Sequence, residues 1–126
     1  MSISIKYSDL FLLLLFRRKT AIVYGVSMEP ILESGDIVFY KDVCDRTKIL
    51  IGDIVIFNHP LKNIKLIKKI SKIQGEGLEV SGENSNFSDD SNYFGLINKA
   101  SITGIVTSRI PKKSLNKLKI IFSSKQ

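Results

Sequence analysis

The chain has 126 residues, 44% of them hydrophobic and 25% charged, with one cysteine and a formal net charge of +7. That length suits a single domain with its own core, and the lone Cys44 excludes an intramolecular disulfide and points to a reducing compartment, the cytoplasm. All twelve acidic residues precede Ser91, while seven basic residues and no acid follow from there, so the C-terminal end suits a solvated tail or an anionic partner. No aromatic residues interleave Lys112, Lys113, Lys117 and Lys119 as a base-stacking surface requires, and no nucleic-acid partner is expected.

In chain order, residues 1–20 read as a helical arm. Leu10–Phe16, LFLLLLF, is followed at once by Arg17, Arg18 and Lys19, and Asp9 stands near the start, as the helix dipole favours. The apolar run is far short of the ~20 residues a membrane-spanning helix needs. Its basic cluster comes after the run, with no small-residue cleavage site beyond, which is the wrong order for a secretory signal. A core-packing helix and a shallow interfacial anchor both fit, which leaves peripheral membrane contact through residues 10–19 open.

From residue 21 the texture changes to short runs rich in Val, Ile, Tyr and Phe: AIVYGV, DIVFY, DIVIF, LEV and ITGIVTSRI. Turn residues bound them, and two Gly-Asp pairs, Gly35-Asp36 and Gly52-Asp53, each precede a strand-like run. The expected fold is mainly β, small sheets folded on each other over residues 21–110, followed by a basic tail at 111–126.

Chemistry centres on three places. Ser27, in YGVSMEP, needs a base to act as a nucleophile. The one histidine, His59, precedes Pro60, and an X-Pro turn at a strand end is an ordinary surface element. The other known base for a serine is a lysine kept neutral by burial. In IKLIKKIS a strand period of two puts Ile64, Leu66, Lys68 and Ile70 on one face, with Lys68 directed into the core. There its ammonium form would be disfavoured. As a helix, the same stretch would gather its lysines on a solvated face. Pro60, Gly75 and the isoleucines favour the strand. The polar loop Gly82–Gly95 holds Ser85, Ser88, Asp89, Asp90 and Ser91, without the spacing of a twelve-residue calcium loop. It reads as a turn rich in side-chain-to-backbone hydrogen bonds, and no metal or other cofactor is expected.

Three segments together resemble the signal peptidase I family of serine–lysine proteases. Ser27-Met28-Glu29-Pro30 followed by Gly35-Asp36 is similar to the nucleophile box. Gly52-Asp53-Ile54-Val55 with Leu66–Ile70 resembles the strand pair that bears the lysine base. GENSNFSDDSNYFG at 82–95, and then Gly104, resemble the closing box and the glycine after it. The resemblance implies the catalytic core shared by signal peptidases and LexA-type proteases. It further implies Ser27 as nucleophile and oxyanion-hole N–H donor, Lys68 as base, Ser88 orienting the lysine, Asp90 supporting the loop, and Met28 and Pro30 in contact with substrate. Glu83 and Asn92 stand where the box usually has aspartate and arginine, and Gly25 stands where some members carry a second oxyanion donor.

The size, the Leu-rich arm and the His-Pro after GDIVIF are similar to the proteases that mature nickel-type superoxide dismutase. The substrate implied is a precursor protein with an N-terminal extension, the nickel superoxide dismutase precursor. Processing of exported preproteins at the membrane is the alternative within the class. A self-cleaving LexA-type domain fits less well, given the 82–95 box and the absence of a DNA-binding domain. A basic β-domain that binds a partner without catalysis is the alternative outside the class.

Overall fold

The computed structural model describes residues 6–14, 17–25, 27–83 and 95–116. A helix α1 (Tyr7–Leu14) leads into strands β1 (Lys19–Ile22), β2 (Ile37–Asp42), β3 (Ile54–Asn58), β4 (Lys65–Gln74), β5 (Gly77–Ser81), β6 (Ile97–Asn98) and β7 (Ile102–Ile110), with a 3-10 turn at Lys99–Ser101. The fold is mainly β, as composition and turn spacing predict. The strands join in one antiparallel sheet of order β1-β2-β7-β3-β4-β5-β6, so the last strand in sequence lies between β2 and β3.

Alternation of side chains divides the core between the two faces of this sheet. Val55, Phe57, Ile70, Leu78, Val80, Ile102 and Ile105 fill one face, and Val23, Met28, Leu32, Val38 and Ile54 fill the other. The register breaks at Phe39/Tyr40, Ile56/Phe57 and Ile70/Lys72. Each such irregularity bends a strand and increases its twist. Curvature of this kind lets β1 and β4, separated by three strands in the sheet, line a common cleft.

The arm is held by its one acid. Asp9 is only 2% exposed, and Arg18 Nε donates to its Oδ1 at 3.0 Å. The dipole expectation for Asp9 thus understates its role, because the carboxylate is an internal anchor. Burial alone would raise its pKa, but the Ser108 and Thr107 hydroxyls and the Arg18 guanidinium outweigh it, and the pKa is lowered. The help from Ser108 is at longer range than a hydrogen bond, since neither Asp9 Oδ2 nor Ser108 Oγ completes one. No described helix is long and apolar enough to cross a membrane.

Candidate active site

Ser27 sits in a loop whose ends are pinched together. Val23 N donates to the Asp36 carbonyl at 2.8 Å, and Gly35 N donates to the Val23 carbonyl at 2.7 Å. Met28 and Leu32 turn inward as core residues, and Leu32 N closes a turn on the Met28 carbonyl at 2.9 Å. The loop is therefore a compact excursion packed by its own side chains. Ser27 is half-buried and Pro30 exposed.

The serine lines a cleft of about 210 Å³, together with Ile22, Tyr24, Val38, Ile56 and Ile67. This wall is largely apolar, and β4 closes it through Lys65–Ile67. Met28, at 1% exposure, is not on the wall. Gly25 has φ +88°, with open space where a Cβ would stand. Backbone conformation thus requires glycine there, which accounts for the missing hydroxyl two residues before Ser27. Gly104 is required for a different reason. A Cβ at this point of β7 would fall 2.5 Å from Cδ2 of Tyr40, whose side chain also lines the cleft.

β4 is a strand, and Lys68 is its buried lysine, 2% exposed and in register with Val55 on β3. Leu66 and Ile70 share its face, against the larger core cluster. Ile64 departs from the expected pattern: it is 49% exposed, because the hairpin turn ends there and β4 starts at Lys65. Leu66, on the face of Lys68, and Ile67, on the opposite face, both line the Ser27 cleft, and Lys68 itself is not among its lining residues. The fold thus brings Ser27 to the strand that bears Lys68.

Ser88 and Asp90 lie outside the described residues. The start of their loop is visible: Glu83 pairs with Lys69 Nζ at 2.5 Å. A glutamate in place of the usual aspartate is long enough to reach this lysine, next in sequence to Lys68. His59 has a structural task, since its Nδ1 accepts from Leu61 N at 2.9 Å and Lys62 N at 3.1 Å and so shapes the β3–β4 hairpin. Cys44 lines a separate cavity of about 620 Å³ that shares no residue with the Ser27 cleft. Its thiol pKa is lowered by the Thr47 hydroxyl.

Sequence reasoning missed Arg109. Its Nη1 donates to Asp36 Oδ2 at 2.9 Å and also to the Ile31 carbonyl, both in the serine loop. Nothing local in ITGIVTSRI marks this arginine. The available signal was the one charged residue of that strand.

The fold is a β-rich domain with a loop-borne serine facing an apolar cleft, beside a strand with a buried lysine. The family model for signal peptidases, peptidase S26, matches residues 3–81, and the chain belongs to that family. The match includes Ser27 and Lys68 and stops short of the 84–94 loop and of Arg109. No curated protein matches the chain. Membership makes the chain a signal-peptidase-like serine peptidase, and its substrate a protein.

Proposed function

We propose that the chain is a serine–lysine endopeptidase that removes an N-terminal extension from a precursor protein in the cytoplasm. The observation that carries this reading is Lys68, a lysine 2% exposed on the strand that walls the Ser27 cleft. Burial disfavours an ammonium, and a lysine acts as a base only as the free amine. The cleft between β1 and β4 suits an extended peptide with small or apolar side chains, since Ile22, Val38, Ile56 and Ile67 line it.

In this mechanism Lys68 Nζ takes the Ser27 Oγ proton as the Oγ–carbon bond forms on the scissile carbonyl. The carbon–nitrogen bond then breaks, and Lys68 returns the proton to the leaving amine. Water, deprotonated by Lys68, next attacks the acyl carbon, the bond to Ser27 Oγ breaks, and Lys68 returns the proton to that oxygen. The backbone N–H of Ser27 stabilises the oxyanion, with Ser88 orienting the amine and Asp90 supporting the loop. The mechanism requires Lys68 Nζ within hydrogen-bond reach of Ser27 Oγ when substrate fills the site.

The precursor of nickel-type superoxide dismutase is the proposed substrate, on the resemblance of arm and hairpin described above. Co-expression with that precursor, followed by mass spectrometry of the product N-terminus, tests it. The chain should trim the precursor, and Ser27→Ala and Lys68→Met should each reduce trimming by at least about 10³-fold. Full processing by either variant rules out the dyad. An untouched precursor rules out the substrate.

A further inference from the structure

We infer that Arg109 and Asp36 are positioning residues that hold the nucleophile loop on β7 and so set where Ser27 stands. The inference rests on the reading of Ser27 as nucleophile, and neither the family match nor the sequence motifs assign a role to Arg109.

Asp36 is buried, 1% exposed, and both carboxylate oxygens are engaged. Its Oδ2 accepts from Glu33 N at 2.9 Å and Arg109 Nη1 at 2.9 Å, and its Oδ1 accepts from Lys112 N at 2.8 Å. The same Nη1 of Arg109 donates to the Ile31 carbonyl. One guanidinium nitrogen thus joins two points of the loop that starts at Ser27. The strand that supplies it is bonded on both sides, by β2 and β3, and stands third from the cleft-lining β1 edge, away from either sheet margin.

Two kinds of contact divide the work in this loop. Met28 and Leu32 pack against Val38 and Ile54, which sets the depth of the loop. Apolar packing is non-directional and leaves the loop free to rotate about that plug. Hydrogen bonds to Ile31, Glu33 and Asp36 are directional and remove that freedom. A catalytic group misplaced by about 1 Å can lose on the order of 10²-fold in rate. Loss of the clamp should therefore appear in turnover, with apparent substrate affinity largely kept, because the cleft wall contains no clamp residue.

The test measures kcat and KM of the full chain on the dismutase precursor, with hydrogen exchange of the Leu32 and Glu33 amides. Arg109→Gln should lower kcat about 30-fold with KM within about twofold, and should speed exchange at both amides about tenfold while β3 amides keep theirs. Arg109→Lys retains the charge with a shorter reach and should recover part of kcat. If Arg109→Gln does not fold, Arg109→Lys decides: kcat below about a third of wild type at constant KM supports the clamp. Wild-type kcat in a folded variant overturns it, as does a kcat loss matched by a rise in KM. If the wild-type chain leaves the precursor uncut, the substrate reading has failed and exchange decides alone. Unchanged loop exchange in Arg109→Gln then overturns the clamp.

Discussion

Gly35-Asp36 and Gly52-Asp53 are the same dipeptide used twice, and locally they build the same turn. The glycines have φ of 94° and 95°. Each aspartate accepts a hydrogen bond from the backbone N–H three residues earlier, Glu33 N at 2.9 Å and Leu50 N at 2.8 Å. The backbones match further, since Gly35 N and the Asp36 carbonyl pair with Val23 as Gly52 N and the Asp53 carbonyl pair with Ile70. The aspartate side chains differ. Asp53 is half-buried and serves its own turn, which leads into β3. Asp36 is fully buried and also receives Arg109 and the backbone N–H of Lys112. Both turns are tied to distant backbone, but only at Asp36 is the carboxylate also recruited to tertiary structure. The recruited copy is the one that closes the serine loop.

The widest gap between the two turns should come from removing the carboxylates. Asp36→Ala leaves the Arg109 charge in a mostly buried place and strips two backbone donors, so urea unfolding should show a loss of about 3 kcal/mol. Asp53→Ala forfeits one turn hydrogen bond and should cost about 1 kcal/mol. Equal losses would locate the value of the motif in the turn and remove burial from the explanation.

Alanine at the glycines should narrow the gap. Both positions need a left-handed backbone, so Gly35→Ala and Gly52→Ala should each cost about 1–2 kcal/mol. A Cβ at Gly35 would also fall 2.8 Å from Lys112 Cδ, while the space at Gly52 is open. That side chain can swing aside, so the extra cost at Gly35 should be small, and Lys112→Ala should erase it. A persistent difference in the double variant would mean that the loop itself resists the change.

The smallest effect belongs to the third aspartate with a structural role, Asp9, which is buried without belonging to a turn. Its folded pKa lies below the ordinary 3.8. A carboxyl of this kind adds stability that is present above its unfolded pKa and is lost as pH falls through the folded value. Thermal melting of wild type and Asp9→Asn should therefore differ at pH 5 and begin to converge only as pH falls below the ordinary 3.8. Curves that stay parallel through the acid range would show that Asp9 does not carry this dependence.

Much of the site is legible along the chain. Period-two alternation identifies Lys68 as the inward lysine of its strand, and the structure buries it between Leu66 and Ile70 in sequence. The same rule overreached at Ile64, because alternation cannot tell where the hairpin turn ends. Ser27 is recognisable only through its neighbours in the nucleophile box, since a serine before a methionine and a proline has no periodicity to read. Arg109 was legible only as the one charge of its strand, because its partner Asp36 lies 73 residues upstream. Buried Ser108 and Phe39 face each other in the register, and no local pattern announces that pairing.

The sequence by itself determined the strands, the turns, the inward lysine and the kinship with signal peptidases. These follow from backbone dihedral preferences, side-chain alternation and ordered motifs, all of which act over a few residues. Only the tertiary structure decided that β7 enters between β2 and β3, that the curved sheet brings β1 and β4 to one cleft, and that Arg109 meets Asp36 instead of solvent. Strand order and register are settled by which long-range pairing buries the most apolar surface and satisfies its polar groups, a competition among distant segments that no short stretch contains.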